Sequence, residues 1–217
     1  MQKKFKAGSF IAIVSVLTLS LVSNCFASSL SISNFTKWAS GTTVAYNIGT
    51  TGIAIPEGGT EVNPNFVAAQ QSSSQTAMGL QFYGCFKGGS NAPNSAQEMA
   101  VFICDDVTNW TGHEMGFLKT LNDNTIKAYL QGPGGVYKYT TVLSNDNNYH
   151  TFKAVVRDSS HTDMVDYYVD GTYKCTIQNS GVSYYNLKYN FVGTTHRTVG
   201  GWSSTGYQIE MYNMQTF

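Results

Sequence analysis

Charge is scarce in this sequence. Of 217 residues, 13 are Lys or Arg and 13 are Asp or Glu, so the formal net charge is zero. The chain lacks the basic stripe that phosphate contacts need, which argues against a nucleic-acid partner. Cysteines number four and prolines four. No CxxC or CxxCH occurs, so neither structural zinc nor a c-type haem is supported. The apolar run from Phe10 to Val22 falls short of the roughly 20 residues of a membrane span. No segment reads as a long amphipathic helix.

The N-terminus instead has the layout of a signal peptide. Lys3, Lys4 and Lys6 precede the apolar run, and Ala27 offers a small residue for cleavage. This predicts a leader over residues 1–27 and one mature domain over 28–217, secreted or extracellular. Two other readings compete. Cys25 invites lipidation, but Asn24 before it is a poor fit for a lipoprotein signal. Lys6-Ala7-Gly8 resembles a prepilin site, but the Ser- and Asn-rich stretch from Ser23 to Asn34 is unlike a pilin helix.

Without its leader the chain keeps Cys85, Cys104 and Cys175, an odd count that permits at most one internal disulfide. Cys85 and Cys104 lie on neighbouring predicted strands and are the first candidate pair; three buried thiols are the alternative.

The mature sequence breaks into short β-favouring runs between Gly, Asn, Asp and Ser clusters. Strands are predicted at 43–46, 66–69, 79–86, 98–104, 114–119, 125–130, 137–142, 150–157, 164–169, 173–178, 189–192 and 207–214. That spacing predicts an all-β fold, two stacked antiparallel sheets in a sandwich. The sharpest local signal is Asp170-Gly171 between two β-branched and aromatic runs, a type I′ hairpin turn. A two-residue turn sets Tyr168 opposite Tyr173 and Asp166 opposite Cys175; a bulge would shift that register.

Asn148-Tyr149-His150-Thr151-Phe152-Lys153, followed by Val165-Asp166-Tyr167-Tyr168-Val169-Asp170-Gly171, resembles a stretch of concanavalin A-like lectin/glucanase domains. Gly116-Phe117, Thr125 to Tyr129 and the last run from Gly206 to Met214 are similar to further strands of those domains. The resemblance spans about Gly116 to Phe217 and implies a jelly roll. That superfamily includes lectins, carbohydrate-binding modules, glycosidases, polysaccharide lyases and laminin G-like adhesion domains, so the fold leaves function open.

Hydrolases on this scaffold need two carboxylates across a concave sheet. The E-x-D-x-E strand of the laminarinase-like families is absent. What remains is Glu210 on the last strand, between Gln208 and Tyr212 at period two, with Glu98 or Glu114 as partner. The lyase-type families imply Arg, His and Tyr, for which Arg157, Arg197 with His196, and Lys188 with Tyr189 stand as candidates, but their motifs are missing. His113-Glu114 lacks the second histidine of a zincin, Gly201 to Gly206 is no nucleophile elbow, and Gly132-Pro-Gly-Gly135 is a turn.

For sugar binding, Trp110 and Trp202 are the first stacking candidates, before Trp38. Gln208 and Tyr212 supply a polar and aromatic strand face. The loops Cys104-Asp105-Asp106, Asn122-Asp123-Asn124 and Asn145 to Asn148 carry the oxygens that calcium prefers, though such loops are more often plain turns. Asn34-Phe-Thr36 and Asn109-Trp-Thr111 match glycosylation acceptors. Taken with the sugar-friendly composition and the missing glutamate motif, the resemblance implies a secreted lectin-like or adhesion domain for a poly- or oligosaccharide. A glycoside hydrolase is the alternative, and a self-associating matrix protein the third.

Overall fold

A computed structural model describes residues 28–31, 33, 35–39, 46–56, 65–70, 76–88, 98–105, 112–120, 124–185, 187–188, 191–198 and 208–217. The strands are β1 (Ser28–Ser29), β2 (Thr36–Ala39), β3 (Tyr46–Ile48), β4 (Gly52–Pro56), β5 (Asn65–Gln70) and β6 (Thr76–Ala77). Then come β7 (Gly79–Lys87), β8 (Glu98–Cys104), β9 (Glu114–Thr120), β10 (Thr125–Gly132), β11 (Val136–Ser144) and β12 (His150–Val156). The last are β13 (Met164–Val169), β14 (Thr172–Gln178), β15 (Leu187–Lys188), β16 (Phe191–Thr198) and β17 (Gln208–Thr216). Among the described residues no helix is long and apolar enough to cross a membrane.

Two antiparallel sheets form the sandwich. The first, sheet A, runs β14-β13-β12-β7-β17-β4-β3, with β1 joined to β17. The second, sheet B, runs β11-β10-β9-β8-β16-β5-β2. Both sheets join neighbours far apart in sequence, as when the last strand lies between β7 and β4. This is the predicted all-β, two-sheet jelly-roll architecture.

Side-chain alternation assigns the faces. In β12, Phe152, Ala154 and Val156 are buried, while Thr151, Lys153 and Val155 are half-buried and point outward. Phe82, Phe86 and Phe152 from sheet A meet Phe117 from sheet B in the core. Phe152 lies 5.1 Å from Phe82, 5.6 Å from Phe86 and 5.0 Å from Phe117, centroid to centroid. Tyr167 is fully buried on β13, and its hydroxyl donates across the sandwich to the Tyr129 carbonyl of β10 at 2.5 Å. That bond gives a polar tip a partner in the apolar interior.

The Asp170-Gly171 turn forms as expected, with φ of 51° and 73°. Tyr168 faces Tyr173, but a register shift after Tyr167 sets Asp166 opposite Thr176 and Tyr167 opposite Cys175. The expected Asp166–Cys175 pairing is thus corrected by a bulge. Arg157 explains the preference. Its guanidinium donates to both Asp166 oxygens, at 3.1 and 2.7 Å, and to Thr176 Oγ1 at 2.5 Å.

The expected Cys85–Cys104 disulfide is also corrected. Cys85 lies opposite Glu210 in sheet A and Cys104 opposite Glu114 in sheet B. Both point away from the core on opposite sides of the sandwich, so the two sulfurs do not meet, and Cys85 and Cys175 are free thiols. Burial pushes the Cys85 thiol up to about 11, so it stays protonated at neutral pH.

Candidate functional site

Strands β7 and β17 and the loop before β12 build an aromatic surface on the outer face of sheet A. Ile209 and Met211 of β17 enter the core, so Gln208, Glu210 and Tyr212 face outward. Register brings Tyr83 of β7 beside Tyr212, and Cys85 and Lys87 beside Glu210 and Gln208. Tyr149 arrives from the loop before β12. Its ring stacks on Tyr83 at 5.3 Å and lies 5.8 Å from Tyr212. Tyr83, Tyr149, Tyr212 and Asn213 line an open cleft of about 350 Å³.

Local backbone features make this cleft possible. Gly52 of β4 lies opposite Tyr212, and a Cβ there would overlap the tyrosine ring. The absent side chain therefore lets the ring lie down over the β4 backbone. A bulge follows Tyr212, where Asn213 takes φ of 49° and donates its N–H to Thr51 O at 3.2 Å. Bulges of this kind re-aim side chains, here Asn213 toward the cleft.

A preorganised polar group lies beside the cleft. Lys87 Nζ donates to Glu210 Oε1 at 2.5 Å, and the Gln208 amide donates to the same oxygen. Lys87 also lies 5.7 Å from the Tyr149 ring centroid. Its hydrogen bond to Glu210 raises the Lys87 pKa, so the ammonium stays charged at neutral pH.

The outer face of sheet B carries a different constellation. Ala100, Phe102, Cys104, Leu118 and Tyr129 form a second buried cluster there. Glu114 and Gln131, paired in register, are buried beside it, and the Tyr129 hydroxyl donates to Glu114 Oε2 at 3.3 Å. Next to Glu114, the His113 N–H and the His113 Nδ1 each lie 2.6 Å from an Asp105 oxygen, which ties the ends of β8 and β9 together.

The three predicted carboxylates do not assemble. Glu210 belongs to sheet A, whereas Glu98 and Glu114 belong to sheet B. Glu210 and Glu114 point outward from opposite sides of the sandwich. Glu98 lies opposite Thr120 and Glu114 opposite Cys104, so positions 98 and 104 of β8 separate them. Six residues of strand span about 20 Å, against roughly 5–10 Å between the carboxyls of a glycosidase. The expected pairing of Glu210 with Glu98 or Glu114 is therefore corrected: sheet topology keeps them apart. The lyase candidates are likewise dispersed, with Arg157 bound to Asp166 on sheet A, Arg197 on β16 and Lys188 on β15. Trp110 and Trp202 lie outside the described residues. Trp38 falls on β2, opposite Ala68. Tyr83 and Tyr149 were not among the sequence candidates.

The Asn145–Asn148 loop uses its polar groups internally. The buried Asn145 amide donates to Phe86 O at 3.0 Å, and Asp146 accepts the backbone and side-chain N–H groups of Asn148. Those two bonds and His150 pull Asp146 down to about 2. His150 joins this loop to the hairpin turn, with Nε2 3.1 Å from Asp146 and Nδ1 2.6 Å from Asp170. Burial opposes charging the ring, but the bonds to Asp170 and Asp146 prevail and raise its pKa above 6.5. The linked stability is fully present below pH 6.5 and is lost as pH rises through the folded value. The thermal midpoint is expected to fall by roughly 2–4 °C between pH 5 and pH 8, the equivalent of about 1 kcal/mol. Melting curves of His150→Gln should lack that slope; an unchanged slope would remove His150 as its source.

No protein-family model matches the sequence, and no curated protein matches it. Solved structures do. A Bacteroides ovatus mixed-linkage glucan GH16 protein, solved with a G4G4G3G product, superposes with a TM-score of 0.56 at 12% identity, covering 87% of this chain and 96% of its own. The β-glucanase of Bacillus licheniformis gives 0.51 at 13%, covering 87% and 96%. The carbohydrate-binding module CBM66 from Bacillus subtilis gives 0.50 at 13%, covering 85% and 96%. The fold is a concanavalin A-like jelly roll. At such identities the concanavalin A-like likeness is one of architecture, and it transfers no residue roles.

Proposed function

We propose that this chain is a secreted carbohydrate-binding domain that holds a poly- or oligosaccharide on the outer face of sheet A. The observation that carries the reading is the Tyr83–Tyr149–Tyr212 cleft beside Gln208, Lys87 and Glu210. Sugar rings present apolar C–H faces that pack on tyrosine, while their hydroxyls seek amide, ammonium and carboxylate partners. The cleft and the polar group beside it together offer both, on side chains already fixed by neighbours. The named activities of the jelly-roll relatives, a glucanase and a carbohydrate-binding module, support the same substrate class. Binding is favoured over hydrolysis because Glu210 is engaged by Lys87 and lies on the opposite face from Glu114.

The test is binding to immobilised and soluble glycans, including mixed-linkage β-glucan, β-1,3-glucan, fructan and alginate. Tyr212→Ala is expected to weaken the retained glycan roughly thirty-fold, the loss of a central aromatic contact worth about 2 kcal/mol. Unchanged affinity in folded Tyr212→Ala and Tyr83→Ala would overturn the site. Release of reducing ends from any glycan would revive the hydrolase alternative.

A further inference from the structure

We infer that a second glycan platform stands on the far side of the sandwich, so that one copy of the chain bridges two polysaccharide strands. The inference rests on the carbohydrate reading above and adds a bivalent function to it. Its residues are Tyr137 and Tyr139 of β11, 43% and 61% exposed, two residues apart on one strand.

These rings are placed and braced. Register sets Tyr139 opposite Tyr129 and Tyr137 opposite Gln131, so both tyrosines share the outer face of sheet B. The Lys127 ammonium lies 5.1 Å from the Tyr139 ring centroid. Tyr137 leans at 6.0 Å on the ring of Tyr129. Tyr129 is itself buried, with its edge against Phe102 at 6.3 Å and its hydroxyl on Glu114. A buried ring supporting an exposed one lowers the entropy lost when a ligand stacks on it.

The two platforms face opposite ways. Tyr83 and Tyr212 stand outside sheet A, Tyr137 and Tyr139 outside sheet B, and the core fills the space between. The sheets themselves are about 10 Å apart, so a short oligosaccharide laid on one platform does not reach the other. Two separate strands do. A polymer with many repeats then becomes cross-linked by a monomeric protein, with avidity well above either single-site affinity.

The experiment uses mixed-linkage β-glucan, or whichever panel glycan is retained, as polymer and as its tetrasaccharide. Calorimetry with the tetrasaccharide is expected to give two sites per chain. The polymer should turn turbid with wild-type protein that sediments as a monomer. Tyr139→Ala, a surface change, should keep the thermal midpoint, leave one site and abolish turbidity. Tyr212→Ala should do the same from the other face. One site in the wild type, with turbidity unaffected by Tyr139→Ala and Tyr137→Ala, would overturn bridging while leaving the sheet A site intact. Turbidity that tracks dimerisation of the chain would overturn it too. Retention on no glycan at all would remove both readings.

Discussion

Phe152→Ala is expected to lower folding stability by about 3–5 kcal/mol. The ring is fully buried and touches three other phenylalanines, two in its own sheet and Phe117 in the opposite one. Truncation removes the transfer free energy of the ring and leaves a void that a β-sandwich closes poorly, since both sheets are held by their ladders. A domain of this size has roughly 5–15 kcal/mol in total, so the variant sits near its limit. Val155 on the same strand is the internal control, because it is half-buried on the outer face. Val155→Ala should cost about 1 kcal/mol or less. Urea midpoints decide the matter; equal shifts for the two variants would contradict the assigned faces of β12.

Alternation made most strands legible. Glu98 to Cys104 matches its expected bounds as a short apolar run, and Met164 to Val169 as a run whose burial alternates at period two, each flanked by turn residues. The type I′ turn was legible because Asp-Gly is among the few dipeptides that favour φ > 0 twice. Other segments gave no such signal. Gly52-Ile-Ala-Ile-Pro56 is short and ends in proline, yet it forms β4 because β17 and β3 pair with its two edges. Of the expected strand at 189–192, residues 189–190 lie outside the described residues, while Phe191 and Val192 open β16, which runs on to Thr198 through Thr, His and Arg. Pairing with β8 on one side and β5 on the other holds that polar run extended. Tertiary pairing overrides propensity at such places.

The site was legible in part. Gln208, Glu210 and Tyr212 share one face because they alternate on one strand, which a sequence reveals directly. Tyr83 and Tyr149 join them through β7 pairing with β17 and β12, contacts that cross more than sixty positions of sequence. Tyr149 stood inside the recognised Asn148-Tyr149-His150 run, but nothing local said which way its ring would turn. The carboxylate pairing failed for the same reason. Spacing along a chain does not say which of two sheets a strand will join.

Gly116→Ala, the smallest change available at this position, is expected to cost about 3 kcal/mol, the top of the usual range for one added methyl, or to prevent folding. Gly116 lies between Tyr129 of β10 and Phe102 of β8 on the outer face of sheet B. A Cβ there would overlap the Val101 carbonyl oxygen, and would sit 2.6 Å from Phe102 Cβ and 2.8 Å from its Cα. Backbone atoms in a central ladder cannot step aside without losing hydrogen bonds on both edges. The missing side chain also lets the rings of Phe102 and Tyr129 meet edge to face at 6.3 Å above it. That contact supports Tyr129, and through it Tyr137, so the damage should reach the platform on sheet B before the cleft on sheet A. If Gly116→Ala folds at all, glycan stoichiometry should fall while the Tyr212 site retains its affinity. Wild-type stability with both sites intact would show that β8 and β9 have more room than their backbones indicate.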